Sequence, residues 1–343
     1  MPNNRIIVAA AGSRKTSQLV ANALAERRTT LITTYTRDGV AEISQKFAQQ
    51  IGCVPPHVTL LSWYEFLLRE GAKPYQLALT QDRRIRSIDF YGDAPRFIRK
   101  NANRARYFLN SRDDLFADRA SDFVVAANAT TGGAVLRRLE ERFAHIMVDE
   151  MQDLSGHDFN LLDELFTSNT QVTCVGDPRQ GVFSTTTALK NAKYKAANII
   201  DWLNEPARKA DLVLEEWNEC YRCSQAICDY ADALYPKLPR TISKNDDRSG
   251  HHGVHFVRRA QVAAYVKEYA PQVLRYDRNA DTMGLPGLNC GVVKGHSYQH
   301  VLIFPTASYR RYMQTGNLSH AGSVAKMYVA ITRAVRSVAI VED

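Results

Sequence analysis

The 343-residue sequence has no apolar stretch approaching the ~20 residues that a bilayer-spanning helix needs. Its N-terminus, Met1-Pro2-Asn3-Asn4-Arg5, lacks the apolar core of a secretory signal. These absences argue against a membrane or secreted protein and give the expectation of a cytoplasmic one with no membrane partner. Cysteine is sparse: the six cysteines are too few for a disulfide scaffold and fit a reducing compartment. Cys220 and Cys223 have metal-ligand spacing, with Cys228 close behind. A zinc site would need a second pair or suitably spaced histidines, and His251, His252 and His255 are not so spaced. No internal repeat or low-complexity tract stands out, and an apolar content of 45% is too high for a disordered chain. Acidic residues are also in deficit, 36 against 44 basic ones. The resulting net charge of +8 favours an anionic partner, of which nucleic acid is the usual one.

What the chain does have is alternation. Short β-rich runs occur at Arg5–Ala9, Thr29–Thr34, Val58–Ser62, His145–Val148, Gln171–Val175, Leu212–Glu216, Gly253–Val257, Val301–Phe304 and Val338–Val341. Helical patterns such as Thr16–Arg27, Val40–Ile51, Trp63–Arg69, Asp158–Thr167 and Gln225–Leu234 lie between most of them. Strand–helix alternation predicts an α/β fold of parallel sheets covered by helices. Two sheets are expected, the first closing near Val175 and the second opening near Leu212, with polar Ser184–Lys195 as the hinge surface. The segment Gln81–Arg112 concentrates Arg83, Arg84, Arg86, Arg96, Arg99, Lys100, Arg104, Arg106 and Arg112 among Phe90, Tyr91, Phe97, Tyr107 and Phe108. Basic groups interleaved with aromatics suit single-stranded nucleic acid, where phosphates are neutralised and bases stack; a solvated face over buried rings is the plainer alternative.

Two motifs carry chemistry. The strand ending at Ala9 runs into Ala10-Ala11-Gly12-Ser13-Arg14-Lys15-Thr16. This is the layout of a phosphate-binding loop, in which backbone N–H groups hold phosphate oxygens, a lysine reaches the β/γ-phosphates and a threonine hydroxyl ligates Mg²⁺. Downstream, His145-Ile146-Met147-Val148 delivers Asp149-Glu150 at the C-terminal end of a strand, where α/β sheets bind ligands. Asp149 is suited to the Mg²⁺ shell and Glu150 to deprotonating an attacking water.

With these motifs on the page, the chain resembles the UvrD/Rep-type superfamily 1A helicases over nearly its whole length. Asp149-Glu150-Met151-Gln152-Asp153 matches that family's D-E-x-Q-D, and Val175-Gly176-Asp177-Pro178-Arg179-Gln180 its V-G-D-x-x-Q. Cys220-Tyr221-Arg222 resembles N-Y-R, and Lys294-Gly295 with His300-Val301-Leu302-Ile303 resembles S-K-G-x-E-F-D-x-V. Tyr328-Val329-Ala330-Ile331-Thr332-Arg333-Ala334 resembles Y-V-A-L-T-R-A. The resemblance implies two RecA-like P-loop motor domains, 1–183 and 184–343, with a small basic helical insertion at about 80–142. It implies ATP and Mg²⁺ as cofactors and DNA-stimulated ATP hydrolysis that drives 3′ to 5′ movement on single-stranded or partly duplex DNA. A protein partner such as a nuclease is compatible with it. The implied catalytic set is Glu150, Gln180, Arg222 and Arg333, with Tyr221 stacking on the base beside the loop residues Ala11 to Thr16. Thr34-Tyr35-Thr36 resembles T-F-T and Ser62-Trp63-Tyr64 stands where T-F-H is expected. Tyr35, Thr36, Trp63, Tyr64 and Phe183 are therefore the implied DNA contacts, with core packing the competing role for the rings.

The chain departs from the pattern at several points. Arg14 and Ala10 replace glycines, and a φ > 0 at a non-glycine costs ~1–2 kcal/mol. Ser17 stands where an arginine usually sandwiches the base against the tyrosine, Thr185 where a tryptophan stacks on the strand, and Ser297 where a glutamate helps bind ribose. A second reading therefore stays open, a nucleotide-gated DNA-binding subunit of a larger assembly with little unwinding of its own.

Overall fold

In the computed structural model, which describes residues 4–95, 97–187, 189–205, 212–247 and 250–342, the chain divides into two compact units. The first comprises Met1–Val8, Lys15–Pro178 and Ser184–Glu215, and the second Ala9–Arg14, Arg179–Phe183 and Glu216–Asp343. Arg96 of the basic segment lies outside the described residues.

The first unit is built on a six-stranded sheet. Its strands are β1 (Asn4–Ala9), β2 (Thr30–Thr34), β3 (Val58–Ser62), β4 (His145–Asp149), β5 (Gln171–Gly176) and β6 (Leu212–Trp217), in the order β3-β2-β4-β5-β1-β6. The β1–β5, β5–β4, β4–β2 and β2–β3 pairs are parallel. β2 and β4 are buried along their whole length, as strands covered on both faces must be. The covering helices include α1 (Lys15–Ala25), α2 (Arg37–Ile51), α3 (Ala120–Thr130) and α4 (Asp158–Phe166). Local chemistry sets their ends. Thr36 caps α2 by accepting the Gly39 N–H at 3.0 Å, and Gly52 stops it in the left-handed conformation. Ser62 and Glu65 form a reciprocal capping box at the turn after β3. The helix that follows widens into a π-helical stretch at Leu67–Ala72 instead of continuing as the regular helix expected to Arg69.

The second unit carries a five-stranded parallel sheet of β7 (Gly253–Arg258), β8 (Gln272–Arg275), β9 (Leu288–Asn289), β10 (Tyr298–Phe304) and β11 (Ala334–Glu342), in the order β7-β11-β10-β8-β9. Helices α5 (Gln225–Asp232) and α6 (Val324–Ile331) pack on it through Ile227, Cys228, Tyr328 and Ile331. The expected α/β architecture of two parallel-sheet units is thus present.

Three expectations need correction. The unit boundary falls near Glu215, not after Phe183, because Tyr194, Ile199, Trp202 and Leu203 pack into the first core. For the same reason the strand at Leu212 closes the first sheet instead of opening the second. The insertion is not a helical module over 80–142. Phe123, Val124 and Ala127 of α3 belong to the first core, as do Val135 and Leu139. The stretch before α3 carries two short parallel strands, Ile88–Asp89 and Leu115–Phe116, and the short helix Arg104–Phe108, and its Ile85, Phe108, Leu109 and Leu115 pack into the same core. Trp63 is the third case. Its ring is 1% exposed, packs on Phe66, and donates its indole N–H to Asp158 at 2.9 Å. Tyr64, the next residue on the short helix Trp63–Phe66, is half-buried.

Trp63 is therefore a core residue, and no base can stack on it. Trp63→Ala is expected to cost about 3–5 kcal/mol in urea unfolding, by cavity formation. A surface platform would lose under ~0.5 kcal/mol, and that result would return Trp63 to the nucleic-acid face.

Candidate functional site

The acidic end of the first unit follows from strand register. Val8 of β1 sits opposite Gly176 of β5, and Val175 of β5 opposite Asp149 of β4, so three strands end at one edge of the sheet. Lys15 and Thr16, which open α1, meet the acidic pair there. Thr16 Oγ1 donates to Asp149 Oδ2 at 3.0 Å, and Lys15 Nζ lies 3.3 Å from Glu150 Oε1. Asp149 is buried; desolvation and the neighbouring Glu150 charge push its carboxyl up to about 7, against the pull of Lys15. Glu150 holds a left-handed φ of 58°, and its N–H donates to Asp149 Oδ1 at 2.9 Å. Backbone strain of this kind persists where the surroundings enforce it, and it concentrates at functional sites. Gln152 donates to Glu150 and accepts from the Asp177 N–H at 3.0 Å.

These residues suit Mg²⁺. A hydroxyl and a buried carboxylate are hard oxygen donors, and a divalent cation would offset the desolvation that raises the Asp149 carboxyl. Among the described residues, no group of three or more His, Cys, Asp or Glu is placed to hold a metal ion.

The second unit holds the remaining nucleotide-type residues. Its loop segment Ala9–Arg14 is pinned by the Ala10 N–H on Trp217 O at 2.9 Å and by the Tyr221 N–H on Gly12 O at 3.0 Å. Gly12 has φ +75°, and a Cβ there would come within 2.8 Å of Cys220 Sγ and 2.9 Å of Arg222 Cβ. The Ser13 hydroxyl is buried with no hydrogen-bond partner. Arg14 has φ 61°, the left-handed conformation that a glycine would adopt without strain, and its guanidinium lies 4.1 Å above the Tyr221 ring. The Tyr221 hydroxyl donates to Glu219 at 2.6 Å. The sequence located Arg14 in the loop but gave no sign of this stack. Arg333 is buried and donates to Gln180 Oε1 at 3.1 Å and to Val329 O at 3.1 Å; Arg222 donates to Thr332 O at 3.1 Å. Phe183 is exposed, with Lys294 Nζ 5.7 Å above its ring.

A groove of about 420 Å³ opens on the first unit between Tyr35, Thr36, Arg37, Tyr64, Leu68 and Phe90. Tyr64 packs edge-on against Phe90 at 4.8 Å between centroids and lies 6.3 Å from Tyr35. Phe90 comes from the basic segment, and its place beside Tyr64 was not legible from spacing. The other rings there divide: Tyr91 and Phe97 are 100% and 85% exposed, whereas Phe108 sits in the core against Phe123. Arg83 and Lys100 pair with Asp113 and Asp122, while Arg84, Arg86, Arg99, Arg104 and Arg106 are exposed.

A model of the UvrD/REP helicase N-terminal domain matches residues 110–197, the stretch that carries Asp149, Glu150, Gln180 and Phe183. The match covers 88 of the 343 residues. Two solved structures share the fold of this chain. Arterivirus nonstructural protein 10 (helicase) is 14% identical with a TM-score of 0.51, the match covering 99% of this chain and 59% of that one. The same protein in complex with DNA is 15% identical with a TM-score of 0.52, covering 99% and 61%. The chain thus spans about three-fifths of the length of these relatives. No curated protein matches in sequence. No helix among the described residues is long and apolar enough to cross a membrane.

The loop geometry makes one demand that can be checked. Gly12→Ala is expected to lower stability by about 1–2 kcal/mol from the left-handed φ alone, with more from the contacts at Cys220 and Arg222. Urea denaturation measures it, and an unchanged midpoint would mean that the loop is not held this way.

Proposed function

We propose that this UvrD-like chain is an ATP-dependent DNA helicase or translocase that moves 3′ to 5′ on single-stranded DNA. The observation that carries the reading is the meeting of Lys15 and Thr16 with Glu150 and Asp149 at one sheet edge. In this reading the loop N–H groups and Lys15 bind the β- and γ-phosphates, while Thr16 and Asp149 hold Mg²⁺. The cation neutralises charge on the phosphates. Glu150 orients a water and takes its proton, which requires the carboxylate to leave Lys15 as the phosphates draw that lysine away. Gln180, Arg222 and Arg333 stabilise the γ-phosphate charge, a role worth ~10³–10⁵ in rate for arginine fingers. Tyr221 supplies a face for the base. The groove at Tyr35, Thr36 and Tyr64, the exposed Phe183 ring and the exposed arginines of the insertion bind the strand through stacking and phosphate contacts.

The Arg14–Tyr221 stack favours keeping a second reading, a nucleotide-gated DNA-binding subunit working with a partner such as a nuclease. One experiment separates them. ATP hydrolysis is measured with and without single-stranded DNA, beside Glu150→Gln. The motor reading predicts a DNA-stimulated rate that falls by ~10²–10⁴ in the variant. Nucleotide binding without turnover in either protein would favour the gated subunit. Strand displacement from substrates with 3′ or 5′ tails then tests direction, and preference for a 5′ tail would overturn the polarity.

A further inference from the structure

We propose that Thr185, anchored by Asp158, is a positioning residue that couples strand binding at Tyr64 to hydrolysis at Glu150. The proposal rests on the functional reading above and deepens it. Thr185 and Thr186 are buried although Phe183, Ser184 and Thr187 around them are exposed. A buried polar run needs partners, and the first unit supplies them. The Thr185 hydroxyl donates to Asp158 and lies 2.9 Å from Ser155 Oγ, and the Thr186 N–H donates to Ser155 Oγ at 3.1 Å. Asp158 is fully buried and also accepts from the Ser155 N–H and the Trp63 indole, each at 2.9 Å, and from the Ser121 hydroxyl. Four donors on one carboxylate fix its position, and with it the position of Thr185.

The backbone of Thr185 then points two ways. Its N–H donates to Asp153 O at 3.0 Å, and the Asp153 N–H donates to Glu150 O at 3.0 Å. Its C=O accepts from the Tyr64 hydroxyl in the groove wall, while the neighbouring Ser184 C=O accepts from the Tyr35 hydroxyl at 3.4 Å. One residue thus joins the turn that carries the acidic pair to the rings offered to the strand. A base that moves Tyr64 shifts the Thr185 peptide. The Asp158 anchor makes that peptide stiff enough to pass the shift to Asp153 and Glu150, since coupling travels through contiguous rigid contacts. The departure at Thr185 gains a reason here. A threonine is small enough to bring its hydroxyl to the buried carboxylate beside the Trp63 indole that already donates to it.

The test compares wild type, Thr185→Val and Thr185→Ser by basal ATPase rate, strand-saturated ATPase rate and strand affinity from fluorescence anisotropy. Thr185→Val is expected to keep its basal rate within about twofold and its strand affinity within about threefold, while the stimulated rate falls at least about fivefold. Thr185→Ser, which keeps the hydroxyl, is expected to behave as wild type. A merely structural role would lower thermal stability and leave the stimulation ratio alone, so an unchanged ratio in Thr185→Val overturns the proposal while the motor reading stands. Absence of stimulation in wild type overturns the motor reading, and this proposal with it. If Thr185→Val does not fold, Thr185→Ala, which removes the same hydroxyl without adding a branched side chain, is read in the same way.

Discussion

The chemistry of the first unit depends on a constraint of backbone register. β1, β5 and β4 run parallel, with Val8 opposite Gly176 and Val175 opposite Asp149. Parallel pairing in this register brings the start of α1 to the acidic pair although Thr16 and Asp149 are far apart in sequence. Slipping one strand by one residue would turn Asp149 to the opposite face of the sheet. The packing behind the edge enforces the register. A Cβ on Gly176 would come within 2.2 Å of Gln152 Oε1 and 2.8 Å of Met151, so the β5 end and the acidic turn fit together only with glycine there.

Against that fixed edge, the departures from the family pattern take on physical meaning. Arg14 accepts a left-handed conformation that costs ~1–2 kcal/mol and gains a cation–π contact worth about 0.5–1 kcal/mol at an exposed site. The contact recovers about half of that cost, so an arginine is tolerated, under strain, where glycine is the expected choice. Thr185 gives up a large stacking ring and gains a hydroxyl bond to a buried carboxylate. The insertion keeps little bulk of its own, yet it delivers Phe90 to the wall of the groove beside Tyr64.

Contiguous motifs were legible in the sequence and long-range partners were not. Lys15, Thr16, Asp149 and Glu150 could be read because one pair stands at the end of an apolar strand and the other one short loop after such a strand, so local pattern decides where each lies. Trp63 and Tyr64 could not be ranked, since an adjacent pair splits between core and surface and only the position of Asp158 decides which ring goes inside. Asp158 itself reads as an ordinary acid at a helix start. Its four donors come from Trp63, Ser121, Ser155 and Thr185, which no local pattern links. The strand at Leu212 was visible as a strand, but its place beside β1 required the topology of the whole sheet. α3 was lost in the insertion because the charge of the preceding segment hid the apolar face formed by Phe123, Val124 and Ala127.

The central claim is that Lys15, Thr16, Asp149 and Glu150 form a Mg²⁺-dependent nucleotide centre. Calorimetric titration of ATP into the Glu150→Gln protein, with and without Mg²⁺, tests it most directly because binding is read without turnover. The account predicts binding that weakens at least about tenfold when the cation is withheld, since the phosphates then lose the charge that Thr16 and Asp149 would hold in place. Equal affinity in both conditions, or no binding in either, would contradict it.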